Sequence, residues 1–563
     1  MARSWQERAG ASFETRKQAV VASEFVIVSN HPLASAAGME TFARGGNAVD
    51  AAIATAFALT VVEPMMVSIF GAGMILLRDG ATGEMVNVDN YAVAPRAARS
   101  DLYRPLGEGE PFAVEGRENE IGYRAVGVPG SLPAWCVLLA ERGRLSLPDV
   151  MAPAIRYAGQ GFAVSPYLAH CIATSAGDLA RSPASAEVFL PGGASSKAGE
   201  RLVRRDYART LEHIAADGPV VFTEGAIAEA VAADMAANGG LITMDDLASY
   251  RFERRAPVRG TYRGYEIVSA APTSSGGTHI VQALNILEGF DLASSGFGTA
   301  ETIHLLAETL KIAFADRAAF MGDPAFVDVP LEWLTSKAYA DERRRGIDTR
   351  RAGQLPAGRR PAPASESANT THLTAMDGAG SVVAMTQTLH GLFGSKVTVP
   401  GTGMLLNNTM WLFDPHPGRP NSIAPGKRML SSMSPTVVLK DGRPFFALGT
   451  PGGTRIFPAV LQAIVNVVDH GMTLQEAVEA PRIWTSGDAL EVETGVPEPI
   501  RQQLTERGYK VKVVARVAGG MNGVLCDPGT GLLSGAACWR ADGTPLGMSG
   551  GFTDRVGAAG VPA

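Results

Sequence analysis

The stretch Asn369-Thr370-Thr371-His372-Leu373-Thr374-Ala375-Met376 decides how the rest of this chain is interpreted. From Thr371 onward, apolar and polar side chains alternate with a period of two, which is typical of a β-strand. The strand opens on two threonines. β-propensity alone explains threonines in a strand, so what precedes them matters.

Residues 346–369, directly before this strand, are rich in Gly, Pro, Ala, Ser and Arg and almost lack bulky apolar side chains. The composition favours a solvated, flexible linker. A cut between Asn369 and Thr370 would leave Thr370 with both a hydroxyl group and a free α-amine. An α-amine has an ordinary pKa of about 7.7–8.0. It can therefore act as the general base for its own hydroxyl group, without a separate histidine.

A second candidate feature is Thr450-Pro451-Gly452-Gly453-Thr454-Arg455, between a predicted strand and a predicted helix. Two glycines before a helix can present backbone N–H groups to an oxyanion. A plain strand-to-helix turn and a phosphate loop are the alternatives. The segment contains neither of the two common nucleotide-binding glycine patterns, so nucleotide binding is not expected.

A third feature is the pair Ser431-Ser432 in the stretch Lys427 to Pro435. Two adjacent hydroxyl groups can hold a carboxylate or an amide. A turn explains the same residues equally well.

The composition bounds the class of protein. The chain has 563 residues, a net charge of −6, 46% hydrophobic and 19% charged residues. These values predict a sizeable core rather than disorder and give no reason to expect a nucleic-acid partner.

The cysteines and histidines indicate no metal site or other cofactor. The four cysteines contain no C-x-x-C pair, and the nine histidines contain no H-E-x-x-H motif. A G-x-S-x-G nucleophile elbow is absent too. His372 lies close to the candidate nucleophile, but a structural role is the expectation, because the α-amine already supplies a base.

No targeting or membrane segment is evident in the sequence. Residues 1–18 are polar, and the longest mostly apolar run, Ala51 to Val62, is shorter than the roughly 20 residues that span a bilayer. We therefore expect a soluble, cytoplasmic protein with no membrane partner.

The coarse pattern predicts an α+β fold. Helices are expected near residues 47–56, 134–141, 227–237 and 303–314, the first of them capped by Asn47 and Asp50. Strands are expected near residues 25–28, 74–77, 85–88 and 265–270, with a hairpin turn at Asp79-Gly80. After the linker, strands dominate, with hairpin turns at Asp377-Gly378 and Asp441-Gly442. Helices return at residues 458–468 and 474–479. Antiparallel strands followed by helices suggest a layered sandwich.

Together these motifs resemble those of the γ-glutamyltransferase family, whose members cleave themselves and use an N-terminal threonine. The similarity covers nearly the whole chain in family order. The matching segments are Gly45 to Ala52, Val61 to Pro64, Val128 to Gly130, Asp246-Leu247 with Tyr250, Tyr262 to Tyr265, Ser274 to Gly277, Ala315 to Arg317, Gly322 to Pro324, Thr370 to His372, Leu406 to Asn408, Ser431-Ser432 and Gly452-Gly453.

The resemblance implies a fold, a processing step and residue roles. The fold would be the αββα four-layer sandwich of N-terminal-nucleophile hydrolases. Cleavage would give fragments 1–369 and 370–563, which share one core and stay together as a non-covalent heterodimer. Thr370 would be the nucleophile and Thr388 its hydrogen-bond partner. Gly452 and Gly453 would form the oxyanion hole, while Ser431 and Ser432 would hold the carboxylate end of a small-molecule amide substrate.

The chain departs from the family pattern where family members bind the α-amino-acid part of a glutamyl donor. Tyr91 stands in place of an arginine, although Arg96 is nearby. His390, Thr409 and Leu412 replace polar and acidic groups that bind the α-amine. Leu412 cannot offset an ammonium charge, and an unpaired buried cation costs several kcal/mol.

We therefore expect a self-processing amidohydrolase or acyltransferase that forms an acyl-enzyme and accepts a des-amino, carboxylate-bearing acyl group. Glutaryl-type cephalosporin acylases and oxamate amidohydrolases in the wider family fit this expectation. Ordinary γ-glutamyl transfer or glutathione hydrolysis is the alternative. A third possibility is an unprocessed binding protein, which would run as one intact band on a gel.

Overall fold

Two stacked antiparallel sheets lie between two layers of helices. The computed structural model describes residues 4–107, 112–353 and 369–551. Each of the two sheets has seven strands, and they face one another across a buried apolar layer. The expected αββα sandwich is confirmed.

In chain order, the strands are β1 (Val20–Ala22), β2 (Phe25–Ser29), β3 (Ala72–Arg78), β4 (Met85–Asp89), β5 (Phe162–Ala163), β6 (Arg201–Leu202), β7 (Glu253–Arg255), β8 (Val258–Tyr262), β9 (Tyr265–Ser269), β10 (Asn369–Asp377), β11 (Val382–His390), β12 (Thr398–Val399), β13 (Met404–Leu405), β14 (Thr436–Lys440), β15 (Arg443–Gly449), β16 (Ile483–Trp484), β17 (Ala489–Glu493), β18 (Lys510–Val514), β19 (Asn522–Cys526), β20 (Leu533–Ala537) and β21 (Thr544–Met548).

The α-helices are α1 (Pro32–Ala43), α2 (Ala48–Val62), α3 (Ser131–Arg142), α4 (Leu147–Gln160), α5 (Pro166–Leu179), α6 (Pro183–Phe189), α7 (Arg205–Asp217), α8 (Val220–Thr223), α9 (Ala226–Ala237), α10 (Met244–Ser249), α11 (Gly276–Leu287), α12 (Leu292–Ser295), α13 (Ala300–Phe320), α14 (Leu331–Leu334), α15 (Lys337–Arg344), α16 (Ile456–Val468), α17 (Leu474–Glu479) and α18 (Glu498–Glu506). The expected helices, and the hairpins β3–β4, β10–β11 and β14–β15, are confirmed.

Sheet 1 has the strand order β1-β20-β19-β15-β14-β9-β8, and sheet 2 has the order β21-β2-β10-β11-β3-β4-β7. Both sheets therefore combine strands from before and after position 369. In sheet 2, β10 lies between β2 and β11 and pairs antiparallel with both. A chain cut at position 369 would leave each sheet with strands from both products.

The strand β10 is buried on both faces. Alternation in the sequence is typical of a strand with one solvated face, yet every side chain from Thr371 to Met376 is buried. The reason is the sandwich, because α2 covers one face of β10 while β15 and β19 of sheet 1 cover the other. Polar side chains on this strand must consequently find partners inside the protein.

The helix α2 is buried along its whole length. A capping box starts it, as the sequence predicts: Asn47 accepts backbone N–H groups of the first turn, and Asp50 accepts the N–H of Asn47 at 2.8 Å. The helix ends at Glu63, a carboxyl group in the interior.

Residues 352–353 of the predicted linker pack against the protein, whereas residues 348–351 before them are exposed. Gly353 accepts a hydrogen bond from Lys311 Nζ at 2.7 Å, and its N–H donates to Glu308 Oε2 at 3.1 Å. Ala352 N donates to the carbonyl of Arg507, at 2.8 Å. Buried partners on α13 and after α18 therefore fix residues 352–353. Residues 354–368 lie outside the described residues.

Three properties of the described ranges bear on the site. No helix within them is both long and apolar enough to cross a membrane. They contain no cluster of three His, Cys, Asp or Glu side chains placed to hold a metal ion. All four cysteines are free thiols, and only Cys526 is not fully buried.

Candidate active site

Thr370 lies at the start of β10, in the interior, with its side chain directed at β11. Its hydroxyl group donates a hydrogen bond to Thr388 Oγ at 3.2 Å. Thr388 Oγ also accepts the backbone N–H of His390 at 2.7 Å. This second bond holds the Thr388 oxygen in place, so that it can orient the Thr370 hydroxyl group. The two threonines that the resemblance pairs are in contact.

The backbone at Thr370 interrupts the ladder between β10 and β11. Asn369 pairs with His390 and Thr371 pairs with Gln387, and the register shifts between them. The pairing of β10 with β2 begins only at Leu373. Residues 370–372 therefore depend on side-chain contacts more than the rest of the strand does.

His372 is a structural residue in this arrangement. Burial lowers the pKa of His372 to about 3, so the ring is neutral at pH 7. Its Nδ1 lies 2.8 Å from Thr386 Oγ and its Nε2 lies 3.0 Å from Thr374 Oγ. Both ring nitrogens are thus occupied by neighbouring strand hydroxyl groups, which leaves the ring no free position for a base.

A buried carboxyl group contacts the residue after Thr370. The Thr371 hydroxyl group donates to Glu63 Oε2 at 2.7 Å. Burial raises the pKa of Glu63 to about 8, against the opposing effect of this hydrogen bond. Asn30 Nδ2 lies 3.5 Å from the same hydroxyl oxygen. Sequence reasoning assigned no role to Glu63. A lone carboxyl group directly after a long apolar helix was the available signal.

The glycine turn joins β15 to α16. Gly452 has φ 149° and Gly453 has φ 57°, conformations that favour glycine. Gly452 packs so tightly on the 517–519 segment that an added Cβ would lie 2.8 Å from the Cβ of Ala518. Within the described ranges, the N–H groups of Gly452 and Gly453 have no hydrogen-bond acceptor. Two free N–H groups ahead of a helix can bind an oxyanion.

Two further contacts join sheet 1 to the strand β10 beside the glycine turn. Gly449 at the end of β15 lies against the His372 ring, where an added Cβ would be 2.3 Å from Cε1. Asn522 on β19 donates to the carbonyl oxygen of His372 at 2.7 Å. The end of β15, which leads into the glycine turn, therefore lies against β10.

Ser431 and Ser432 are held in an extended segment beside the start of α11. The carbonyl oxygen of Ser431 accepts both the N–H and the hydroxyl group of Ser275, at 2.8 and 2.9 Å. Ser432 Oγ is buried and has no hydrogen-bond partner among the described residues. A buried hydroxyl group without a partner is costly, and a bound polar ligand would satisfy it.

Tyr91 and Leu412, far apart in sequence, lie in one buried apolar cluster with Met433 and Ile456. Met433 follows the serine pair and Ile456 follows the glycine turn, so this cluster adjoins both. Ala72 of the same cluster is the strand partner of Thr388. We call this cluster the acyl-side cluster. The buried side chain of Asp89 borders it, since Asp89 Oδ1 accepts the backbone N–H of Tyr91 at 3.1 Å and the same carboxyl group pairs with Arg255 and Arg428.

The other residues at departures from the family pattern offer no charge for an ammonium group either. Burial, together with Lys396, lowers the pKa of His390 to about 3, and its neutral ring packs edge-on against Trp411, with ring centroids 5.2 Å apart. The Thr409 hydroxyl group donates to Asn407 Oδ1 at 2.8 Å. Arg96 is exposed.

Comparison with known proteins gives a consistent result. The family model for gamma-glutamyltranspeptidase matches residues 34–548. The chain is 54% identical to the Acylase ACY 1 proenzyme of Pseudomonas sp. (strain SE83), over 97% of this chain and 98% of that protein. It is 38% identical to the glutathione hydrolase proenzyme of Escherichia coli (strain K12), over 92% and 90%. Among solved structures, it resembles the cephalosporin acylase of Bacillus halodurans, with a TM-score of 0.86, 32% identity, and 96% and 98% coverage.

The raised pKa of Glu63 predicts a pH-dependent stability difference. Glu63 ionises near 4.5 when exposed but only near 8 in the folded protein. Between these two pH values the folded protein keeps a proton on Glu63 that the unfolded chain has released. The free energy of unfolding therefore falls as the pH rises from 4.5 to 8. Glu63→Gln has no such proton. We expect its melting temperature, relative to the parent, to rise across this window and to level off above it.

Thermal unfolding measured every half pH unit checks this expectation. Both proteins carry Thr370→Ala, so that each is measured as one continuous chain. A constant difference between pH 4.5 and 8 would show that Glu63 has an ordinary pKa in the folded protein.

Proposed function

The chain belongs to the gamma-glutamyltranspeptidase family, and on this premise we propose that Thr370 is the nucleophile of a self-processing acylase. Its substrates are amides in which a des-amino acyl group carries a distal carboxylate, as in glutaryl amides. The observation that supports this proposal best is the buried apolar acyl-side cluster, which adjoins both the serine pair and the glycine turn.

Processing starts in the continuous chain. Thr370 Oγ attacks the carbonyl carbon of Asn369, the C–N bond to Thr370 breaks, and the proton of the hydroxyl group passes to the departing nitrogen. Water then hydrolyses the resulting ester and releases the Asn369 carboxylate. The hydrogen bond to Thr388 orients the Thr370 hydroxyl group for this attack. Fragments 1–369 and 370–563 remain one heterodimer, since each sheet holds strands from both.

Catalysis uses the amine that processing creates. The free α-amine of Thr370 accepts the proton of its own hydroxyl group, and Oγ attacks the substrate amide carbon. The N–H groups of Gly452 and Gly453 hold the oxyanion that forms. The leaving amine takes the proton, and water or another amine then releases the acyl group from Thr370.

The acyl group is selected by what surrounds its chain. Ser431 and Ser432 hold the distal carboxylate, and the unpartnered Ser432 hydroxyl group supports this role. Tyr91 and Leu412 line the carbon chain of the acyl group, with neutral His390 and Thr409 nearby. The acidic side chain that borders this cluster, Asp89, already pairs with Arg255 and Arg428, so an α-ammonium group would have to compete with two arginines for it. The similarity to proteins named Acylase ACY 1 and cephalosporin acylase supports the same choice.

The processing step predicts two fragments. Purified protein should separate on a denaturing gel, and Edman sequencing should find Thr-Thr-His-Leu at the start of the small fragment. Thr370→Ala should remain one band, whereas Thr370→Ser keeps a hydroxyl group and should be cleaved. A small fragment with any other N-terminus would exclude Thr370 as the nucleophile.

The oxyanion role predicts a loss of turnover at Gly452. An alanine Cβ there would collide with Ala518 and displace the turn, and losing one oxyanion donor costs about 10²–10³ in kcat. Gly531→Ala is the matched control, since Gly531 also has positive φ (73°) but lies in the loop between β19 and β20 with open space around it. Unchanged kcat in folded, processed Gly452→Ala would remove the turn from the mechanism.

The neutral acyl-side cluster predicts the order of substrates. A glutaryl amide should have a kcat/KM at least equal to that of the γ-glutamyl amide with the same leaving group, at neutral pH. Burying an unpaired ammonium group costs several kcal/mol, roughly a hundredfold or more in rate. Leu412→Asp should shift the ratio toward the γ-glutamyl compound, whereas Leu412→Asn, of equal size and uncharged, should not. A strong parental preference for the γ-glutamyl amide would instead favour a glutathione hydrolase.

A further inference from the structure

We propose that Glu63 is a positioning residue for the nucleophile: its neutral carboxyl group anchors Thr371, and so Thr370, without bringing a charge to the catalytic amine. The inference rests on the proposed role of Thr370. It adds a function for a residue that lies 308 positions before Thr371.

The hydrogen bond from Thr371 to Glu63 lies where the regular pairing of β10 with its neighbours is interrupted. Thr370 lies inside the register shift between Asn369 and Thr371, and β2 does not pair with β10 before Leu373. The hydrogen bond of 2.7 Å from Thr371 to Glu63 therefore supplies a fixed point next to Thr370. Thr371 directly follows Thr370, so a shift of Thr371 would also move the Thr370 hydroxyl group away from Thr388.

Glu63 itself is rigidly held. It is the residue that ends α2, with its N–H donating to the carbonyl of Leu59 at 2.8 Å and its carbonyl accepting from Met66 at 2.9 Å. Met66 in turn accepts the N–H of Leu389, between Thr388 and His390, at 2.8 Å. The end of α2 thus contacts both strands that carry the threonine pair.

The surroundings of Glu63 favour its uncharged form. The titratable groups that face it are Tyr167 and Cys171 on α5, and Asp542 before β21. Arg516 contributes the positive charge of this region, but it stacks over the Tyr167 ring at 5.6 Å. The carboxyl group also lies at the C-terminal end of a helix, where the helix dipole disfavours a negative charge. Burial raises the pKa of Glu63 to about 8.

A neutral anchor matters because of the catalytic amine. A carboxylate near an amine raises the pKa of the amine, because it stabilises the ammonium form, and Glu63 contacts the residue next to Thr370. An ionised Glu63 would therefore keep more of the Thr370 α-amine protonated at neutral pH, when it must accept a proton. A neutral carboxyl group gives the hydrogen bond without this penalty.

Substitutions at both ends of the bond test the anchor. Glu63→Gln keeps an uncharged hydrogen-bonding group and should process and turn over a glutaryl anilide within about threefold of the parent. Glu63→Met and Thr371→Val each remove the bond, and each should slow self-cleavage and lower kcat about tenfold or more, with KM nearly unchanged. The double variant should be no worse than either single one, since the two residues act through one contact.

A buried carboxyl group at the other end of α2 provides the control. Asp50 lies about 20 Å from Glu63 along the helix and accepts the backbone N–H groups of Asn47, Arg144 and Leu145. Asp50→Asn should lower the melting temperature but leave cleavage and kcat per folded molecule unchanged. Parental cleavage and kcat in folded Glu63→Met or Thr371→Val would overturn the positioning role.

The pH profile tests the neutral state. The acid limb of kcat/KM reports the Thr370 α-amine in the free enzyme. If Glu63 is neutral, Glu63→Gln leaves the midpoint of that limb where it is in the parent. If the midpoint in Glu63→Gln lies about one pH unit or more below that of the parent, Glu63 is a carboxylate in the parent, and the proposal is overturned. An inactive Glu63→Gln would overturn it as well.

The outcome for Glu63 is separable from that for Thr370. Cleavage or turnover by Thr370→Ala would refute the proposed function itself. Loss of both activities in Thr370→Ala, combined with parental behaviour of Glu63→Met and Thr371→Val, would refute only the positioning role.

Discussion

The hydrogen bond between the hydroxyl groups of Thr370 and Thr388 is the contact around which this structure is organised. Both threonines lie on neighbouring buried strands, so their orientation depends on the packing of the whole sandwich. The helix α2 supports one face of these strands and sheet 1 supports the other. The glycine turn follows β15 of sheet 1, and the serine pair precedes β14 of the same sheet. A single arrangement of two sheets therefore brings together the proposed nucleophile, oxyanion site and carboxylate site from segments distant in sequence.

A common electrostatic feature follows from this burial. Three titratable side chains around the nucleophile have shifted pKa values: burial lowers those of His372 and His390 to about 3 and raises that of Glu63 to about 8. All three are neutral at pH 7. Their neutrality agrees with the proposal that the Thr370 amine exchanges protons with the substrate. The same uncharged surroundings disfavour an acyl group that carries an ammonium ion.

Local patterns in the sequence were sufficient for the elements and the family, but not for contacts between distant segments. The alternation after Thr370, the Asp-Gly turns and the Asn47 cap each have a local physical cause, and the corresponding strands, hairpins and helix are present. The bond from Glu63 to Thr371 and the meeting of Tyr91 with Leu412 depend on how the layers stack, which no local pattern encodes. Likewise, composition suggested a solvated linker from residue 346, whereas buried partners on α13 hold Gly353.

Trapping the acyl-enzyme tests the central claim most directly. The processed protein is mixed with an activated glutaryl ester, quenched in acid within seconds, digested and analysed by mass spectrometry. The account predicts one glutaryl group on Thr370, the first residue of the small fragment, in a linkage that hydroxylamine releases as an ester. A stable label on Ser431 or Ser432, or turnover with no ester at Thr370, would contradict it.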